Sequence, residues 1–331
     1  MRFAVLGSGS WGTTLANLLA KKGHETRLLV REQELLAEIV SKRENSWYMP
    51  GIKLHEGLEA STDPAVVMKD AEVFLCAIPS QFLRSALMSM RDLMPKKPVV
   101  LCASKGIELN SLHTMSQVVE DSLASLKPRF AMLSGPSFAL EVSRELPTAV
   151  TLGCCYKKLG IMLQEALATD YFRVYTTTDY RGVELGGAIK NIIAIAAGIA
   201  DGLSFGSNAR AALITRGLAE MSRLGVAMGA KPATFMGLSG MGDLVLTCTG
   251  ELSRNRQVGL RLGKGQKLLD ILGQMKMVAE GVKTTEAVHG LGKMLEVELP
   301  ITEQVYEVLY NGKDPEQAVR ELMTRELKQE G

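Results

Sequence analysis

Histidine is nearly missing. His24, His55, His113 and His289 are the only four in 331 residues. No two have the spacing of a metal site, and each reads as a surface or turn residue. Proton transfer is therefore expected from Lys, Asp, Glu or Tyr. The five cysteines, Cys76, Cys102, Cys154, Cys155 and Cys248, are odd in number and include no C-x-x-C pair. They are expected to be reduced and buried, with no structural zinc, in a cytoplasmic protein. Charge is also nearly balanced: 38 Lys and Arg against 36 Asp and Glu give a net charge of +2. That argues against a nucleic-acid or membrane-surface partner, so any anion site must be local. No apolar run reaches the ~20 residues of a bilayer span. The most apolar stretch, GGAIKNIIAIAAGIADGL from Gly186 to Leu203, is interrupted by Lys190, Asn191 and Asp201. The opening MRFAVLGSG has strand character and no signal-peptide layout. No tyrosine is followed by lysine four residues on, which removes one common dehydrogenase pattern.

What is present is ordinary for a core-forming chain, with 46% hydrophobic and 22% charged residues, and the length suggests two domains. The first half alternates short β-branched runs with helical patterns. Strands are expected at RFAVLG, ETRLLV, AEVFLCAI, PVVLCAS, RFAMLSG, PTAVTLG and FRVYTTT. Alternation of this kind predicts a mostly parallel sheet covered by helices. After Asp179 the strand-like runs stop and helical periodicity takes over. The expected division is 1–180, a dinucleotide-binding domain, and 181–331, an all-α substrate and catalytic domain. MGLSGMGDLVLTCTGELSRNR, from Met236 to Arg256, reads as a long ordered loop entering a helix.

GSGSWG supplies Gly7, Gly9 and Gly12 in G-x-G-x-x-G spacing. The string follows a strand and opens a helix within a βαβ unit of about 30 residues, which is the context that gives it meaning. Gly7 permits the tight turn, Gly9 lets a pyrophosphate approach the backbone, and Gly12 lets helix and strand pack closely. The N–H groups at the helix start then hold phosphates. The second strand ends in Arg31 with Glu32 after it. A cation there suits the 2′-phosphate of NADP, while Glu32 keeps NAD open. A solvated strand-end charge is the plain alternative for Arg31.

Lys190 is the one cation between Arg181 and Arg210. It could snorkel at a helix edge or pair with Glu184 or another acid. Its face continues through Ala194, Ala197 and Asp201, residues that would leave room for a ligand. The helix begins where the nucleotide-binding half ends, so its first turns are expected to face a cleft. A lysine partly buried there can serve as an acid or base.

Four blocks carry a more specific signal: ASKGIE, LSGPSFALEV, GVELGGAIKNIIAIAAGI and GLSGMGDLVLTCTGELSRNR. In this order, with the glycine motif, they resemble the bacterial NAD(P)-dependent glycerol-3-phosphate dehydrogenase family across essentially the whole chain. The resemblance implies a Rossmann-type N-terminal domain and an all-α C-terminal domain like that of 6-phosphogluconate dehydrogenase. It implies reversible hydride transfer between dihydroxyacetone phosphate and sn-glycerol 3-phosphate, a precursor of phospholipids. NADP is the preferred cofactor and NAD a possible one. A homodimer is expected, with no metal, no nucleic acid and no membrane insertion.

Residue by residue, the resemblance makes Lys190 the proton acceptor in oxidation and gives Lys105 contact with substrate and cofactor. Asp243 lies close to the reacting carbon. Gly135 and Ser137 are substrate contacts and Ala139 a cofactor contact. Ser253, Arg254 and Asn255 form a phosphate clamp, with Arg254 also near the nucleotide. Ser10, Trp11 and Arg31 join the glycines at the nucleotide, and Val278 and Glu280 are late cofactor contacts. ELSRNRQ also places Ser253 where a helix N-cap would sit. Asp243 could instead cap or pair structurally, and Arg254 and Arg256 could be a solvated helix start. Two rival readings remain. One is a β-hydroxyacid or ketopantoate-type dehydrogenase, whose substrate carries a carboxylate. The other is a non-catalytic NADP-binding sensor, which would need no Lys190, Asp243 and Arg254 together.

Overall fold

The computed structural model describes residues 1–275, 278–326 and 329. The chain divides into two compact units: Met1–Glu108 with His113–Glu184, and Leu109–Leu112 with everything from Leu185 onward.

Among the described residues the first unit holds one eight-stranded sheet. Its strands are β1 (Arg2–Leu6), β2 (Glu25–Leu29), β3 (Leu58–Ser61), β4 (Val73–Cys76), β5 (Val99–Cys102), β6 (Arg129–Ser134), β7 (Thr148–Gly153) and β8 (Phe172–Thr177). Their order is β3-β2-β1-β4-β5-β6-β7-β8. Neighbours are parallel except β6 and β7, which run antiparallel. The central runs β1, β4 and β5 are apolar rather than alternating because both faces of the sheet are covered there, while β2 and β8, nearer the edges, alternate. Phe3 and Val5 enter one core with Leu28, Leu75 and Leu101, while Ala4 and Leu6 enter the other with Phe74, Cys76 and Val100. β4 and β5 are buried at every position. Burying one such Val or Leu is worth about 1.5–3 kcal/mol. The first six strands have the order of the Rossmann sheet, with its crossover between β1 and β4.

β3 is absent from the strands read in the sequence. It is an edge strand, and of its four residues, LEAS, only Leu58 is buried. No apolar run marks it.

Among its described residues the second unit contains helices and no strand. Its axis is the 23-residue helix Tyr180–Gly202, whose first turn, to Glu184, belongs to the first unit. The expectation that no stretch could span a bilayer is corrected here. By length and composition this helix qualifies, with a mean hydropathy of 1.5, yet its apolar window is 100% buried in the protein.

The reading of its small residues is corrected as well. Ala194 and Ala197 are fully buried and leave no room for a ligand. Asp201 is paired with Arg210 and Arg256. The small residues serve backbone contact. Gly198 and Gly202 meet Gly259 and Gly263 of helix Arg254–Gly263; a Cβ on Gly198 would stand 2.1 Å from the Arg256 carbonyl oxygen, and one on Gly259 2.0 Å from that of Ile195.

The expected loop from Met236 to Arg256 is mostly helical. It holds a π-helical turn Leu238–Gly242, helix Asp243–Thr249 and the start of helix Arg254–Gly263. Its glycines have no positive φ. Gly240 is needed for space, since a Cβ there would lie 2.1 Å from the Phe235 carbonyl oxygen.

Two further expectations change. Cys155 is exposed, while the other four free cysteines are buried. His289 is buried rather than at the surface, stacked on Tyr306 with ring centroids 3.7 Å apart and its Nδ1 3.0 Å from the Glu303 carboxylate.

Candidate active site

In the first unit, the three glycines of GSGSWG differ in what surrounds them. Gly7 has φ +113°, and a Cβ on it would stand 2.7 Å from the Ala77 carbonyl oxygen, at the β1–β4 crossover. On Gly12 a Cβ would lie 1.9 Å from the Gly7 carbonyl oxygen. On Gly9 it would meet nothing within 4 Å. Two glycines thus fill a packing requirement, and the third leaves the loop's outer side open. Helix Ser10–Lys21 starts there with Gly9 as N-cap, no side-chain cap and no acid in its first turn. First-turn N–H groups lack helical acceptors and carry the positive end of the helix dipole. An open glycine cradle on an uncapped, acid-free helix start fits the pyrophosphate of a dinucleotide.

Around this cradle, Ser10 Oγ donates to the Tyr48 carbonyl at 3.0 Å. The Trp11 ring packs 6.5 Å from that of Phe172. Arg31 follows β2 with its side chain 89% exposed and paired to Glu32 at 2.6 Å. Ala139 opens the short helix Ala139–Ser143, and its carbonyl accepts from Thr14 Oγ1 at 3.3 Å, tying it to the glycine-motif helix.

Lys105 and Gly135 follow the carboxyl ends of β5 and β6, the edge at which sheets of this type bind ligands. Lys105 Nζ and Ser137 Oγ both donate to the Gly135 carbonyl, at 3.4 and 3.0 Å. Two residues that the sequence reading passed over grip the Lys105 loop. Gln81 Nε2 donates to the Ile107 carbonyl at 2.8 Å, and Arg84 Nε reaches both Glu108 carboxylate oxygens at 2.9 and 3.0 Å. The signal available was Glu108 itself, an acid 8% exposed that needs a cation.

In the second unit, Lys190 is ion-paired with Asp243. Their side chains are 7% and 1% exposed. Sequence reasoning left open whether Lys190 snorkels or pairs, and it pairs. The pairing follows from packing at Gly186, one helical turn before Lys190. A Cβ on Gly186 would stand 2.4 Å from the Ser239 carbonyl oxygen. The absent side chain lets the Leu238–Gly242 turn seat on the helix face that carries Lys190, and Asp243 is the next residue. Thr247, also missed in the sequence, donates to the Asp243 carbonyl at 2.5 Å and lies 3.3 Å from its carboxylate. Beside them, burial pushes the Cys248 thiol up to about 12 despite the opposing pull of the Lys190 and Arg256 charges. It stays protonated and is no nucleophile.

Ser253 is the N-cap of helix Arg254–Gly263, accepting from the Arg256 N–H at 3.2 Å. Arg254 Nη1 donates to the Val278 carbonyl at 2.9 Å. Asn255 Oδ1 accepts from the Gly281 N–H at 2.9 Å, which leaves its amide donors for another acceptor. A Cβ on Gly281 would also lie 2.9 Å from the Asn191 carbonyl oxygen. Arg254, Asn255, Val278 and Glu280 are thus brought to the middle of the axial helix, at Asn191, the neighbour of Lys190. Arg256 is excluded from this group, because its guanidinium is bound to Asp201.

The sequence matches the NAD-dependent glycerol-3-phosphate dehydrogenase N-terminus over residues 2–159 and the corresponding C-terminus over 179–320. It is 70% identical over 330 residues to glycerol-3-phosphate dehydrogenase [NAD(P)+] of Solidesulfovibrio magneticus, covering 100% of both chains. It is 65% identical to the enzyme of the same name from Maridesulfovibrio salexigens, again covering 100% of both. Among solved structures, glycerol-3-phosphate dehydrogenase from Coxiella burnetii superposes with a TM-score of 0.94 at 41% identity, covering 98% of this chain and 99% of that one. On this similarity over its full length, and on the two halves matched, the chain belongs to the NAD-dependent glycerol-3-phosphate dehydrogenase family.

Proposed function

We propose that this chain is an NAD(P)-dependent sn-glycerol-3-phosphate dehydrogenase. It interconverts dihydroxyacetone phosphate and sn-glycerol 3-phosphate and supplies the latter for phospholipid synthesis. The observation that carries the chemistry is the buried Lys190–Asp243 pair. It provides one proton-bearing cation, held in a single place by a carboxylate.

The dinucleotide is held by the Gly7–Gly12 cradle and the first turn after it, with Ser10, Trp11, Arg31, Lys105, Ala139, Arg254, Val278 and Glu280 as further contacts. When bound, the nicotinamide supplies the hydride for ketone reduction and takes it back in the reverse reaction. As carbon 2 of the ketone is reduced, its oxygen gains negative charge. The Lys190 ammonium hydrogen-bonds that oxygen and gives it a proton; in oxidation the neutral amine takes the hydroxyl proton. Asp243 keeps the amine in place and balances its charge. Lys105 supports the developing alkoxide, and Gly135 and Ser137 line the substrate. Arg254, Asn255 and the Ser253-capped turn hold the phosphate, whose binding energy positions the carbon that reacts.

NADP is the preferred cofactor in this reading, through Arg31, and NAD is accepted. The same reading includes a homodimer and a cytoplasmic location, which sedimentation and cell fractionation test. The division of labour between residues 1–180 for the dinucleotide and 181–331 for substrate is part of it too. The deciding assay is loss of NADPH absorbance with dihydroxyacetone phosphate, beside β-keto acids and ketopantoate. Turnover of a carboxylate substrate in its place would identify a different dehydrogenase. Nucleotide binding without any turnover would identify a sensor.

A further inference from the structure

Asp201 lies near the end of the axial helix with its side chain only 10% exposed, and it holds two guanidiniums. Arg256 gives Nε and Nη2 to Oδ2 at 2.9 and 2.6 Å, and Arg210 gives Nη1 to Oδ1 at 2.8 Å. Arg256 sits in the first turn of helix Arg254–Gly263, where its backbone N–H is bonded to the Ser253 side chain. The turn is therefore fastened twice, by Ser253 at the backbone and by Asp201 at the side chain. Arg254 and Asn255 lie between those fastenings in sequence.

Something directional is needed at this place. The glycine seam of Gly198 and Gly202 against Gly259 and Gly263 sets the distance between the two helices. Glycines have no side chains to interlock, so the seam resists rotation and sliding of the second helix weakly. A forked, charge-assisted contact fixes both. It also occupies Arg256, the cation that would otherwise compete with Arg254 for an anion.

We propose that Asp201 is a positioning residue for the substrate's phosphate. By holding Arg256, it sets the rotation of the turn that presents Arg254 and Asn255. This rests on the reading of Arg254 and Asn255 as phosphate contacts, and the experiment keeps the two apart.

The test is steady-state kinetics of the full-length enzyme with dihydroxyacetone phosphate and with unphosphorylated dihydroxyacetone, beside melting curves, for Asp201→Asn, Arg256→Lys and Arg254→Ala. For Asp201→Asn the KM for dihydroxyacetone phosphate should rise about tenfold, the scale of one weakened charge-assisted contact. At saturating NADPH, which Arg254 also contacts, kcat should stay within about twofold, and kcat/KM for dihydroxyacetone should not move. Arg256→Lys keeps the charge but loses the fork, so it should give the same selectivity with a smaller size; it decides the matter alone if Asp201→Asn does not fold. Equal losses for both substrates would reduce Asp201 to a purely structural residue. An unchanged or lowered KM would mean that freed Arg256 binds phosphate itself, and would also overturn the proposal. If Arg254→Ala discriminates between the substrates and Asp201→Asn does not, the inference falls and the clamp stands. If only Asp201→Asn discriminates, Asp201 acts through Asn255 alone and Arg254 loses its place in the clamp.

Discussion

Gly186 and Ser239 touch through the backbone: a Cβ on Gly186 would be 2.4 Å from the Ser239 carbonyl oxygen. This contact decides where Asp243 stands, because the turn that ends at Gly242 can settle on the axial helix only over a residue without a side chain. Gly186→Ala should therefore push the turn outward and loosen the Lys190–Asp243 pair. Overpacking of this kind costs about 1–3 kcal/mol. The expected result is a lowered melting temperature together with a fall in kcat. A variant with normal kcat and a normal melting curve would remove Gly186 from the account of the site.

Lys190→Met keeps much of the side-chain length and removes the proton donor. The rate of ketone reduction should fall by roughly 10²–10⁴, the usual worth of a positioned acid or base. The substitution also strands the Asp243 carboxylate in the interior, which costs on the order of 3–5 kcal/mol. Lys190→Met with Asp243→Asn should regain most of that stability and none of the rate. Melting curves and single-turnover kinetics on both variants check this. Near-normal kcat in the folded single variant would return Lys190 to a structural ion pair.

Arg31 reaches the solvent while tethered to Glu32 at 2.6 Å. If its partner in the complex is a 2′-phosphate, Arg31→Ala should weaken NADPH about tenfold or more, the range for a hydrogen bond to a charged group. NADH should be nearly unaffected. Glu32→Gln should act in the opposite sense, since it frees Arg31 and removes a charge that repels phosphate. Titration of both nucleotides against both variants is the measurement. Parallel changes for NADPH and NADH would end the argument for NADP.

Glu184 is a buried carboxyl at the head of the axial helix, accepting from the Ser116 N–H at 3.0 Å and the Ser116 hydroxyl at 2.7 Å. Burial outweighs these bonds and raises its pKa from 4.5 to about 7. The folded protein thus holds a proton that the unfolded chain has already released between those values. Stability should fall as pH rises from about 4.5 to about 7 and then level off, by about 3 kcal/mol for this group. Burial also raises Glu220, which acts in the same direction. Glu184→Gln should flatten its share of the slope in urea melts at pH 5 and pH 7.5. Parallel losses in the wild type and in Glu184→Gln would assign the slope elsewhere.

Much of the first unit was legible in the residue order, because its signals are local. Seven strands announce themselves as short apolar or alternating runs, since the central ones are buried on both faces and β2 and β8 on alternate residues. β3 escaped because an edge strand with one buried residue makes no such demand. The packing roles of Gly7 and Gly12 were readable from spacing alone, for a strand, a tight turn and a helix within a few residues leave little freedom of arrangement. The N-cap at Ser253 was legible for the same reason.

The second unit needed the tertiary structure. Small residues from Gly186 to Gly202 admit three meanings, room for a ligand, a loop tendency or close helix contact, and composition cannot separate them. Only the packing shows that Gly198 and Gly259 bring two backbones together and that Gly240 serves a compact π-helical turn in place of the loop expected there. Partner choice was equally hidden. Lys190 and Asp243 are 53 positions apart, and Asp201 and Arg256 are 55 apart. Sequence alone pointed to a lone cation on an apolar helix and to an arginine-bearing helix start. Which carboxylate answers each of them was decided by the fold, because ion pairs in an interior are set by which backbones can approach, and here glycines set that.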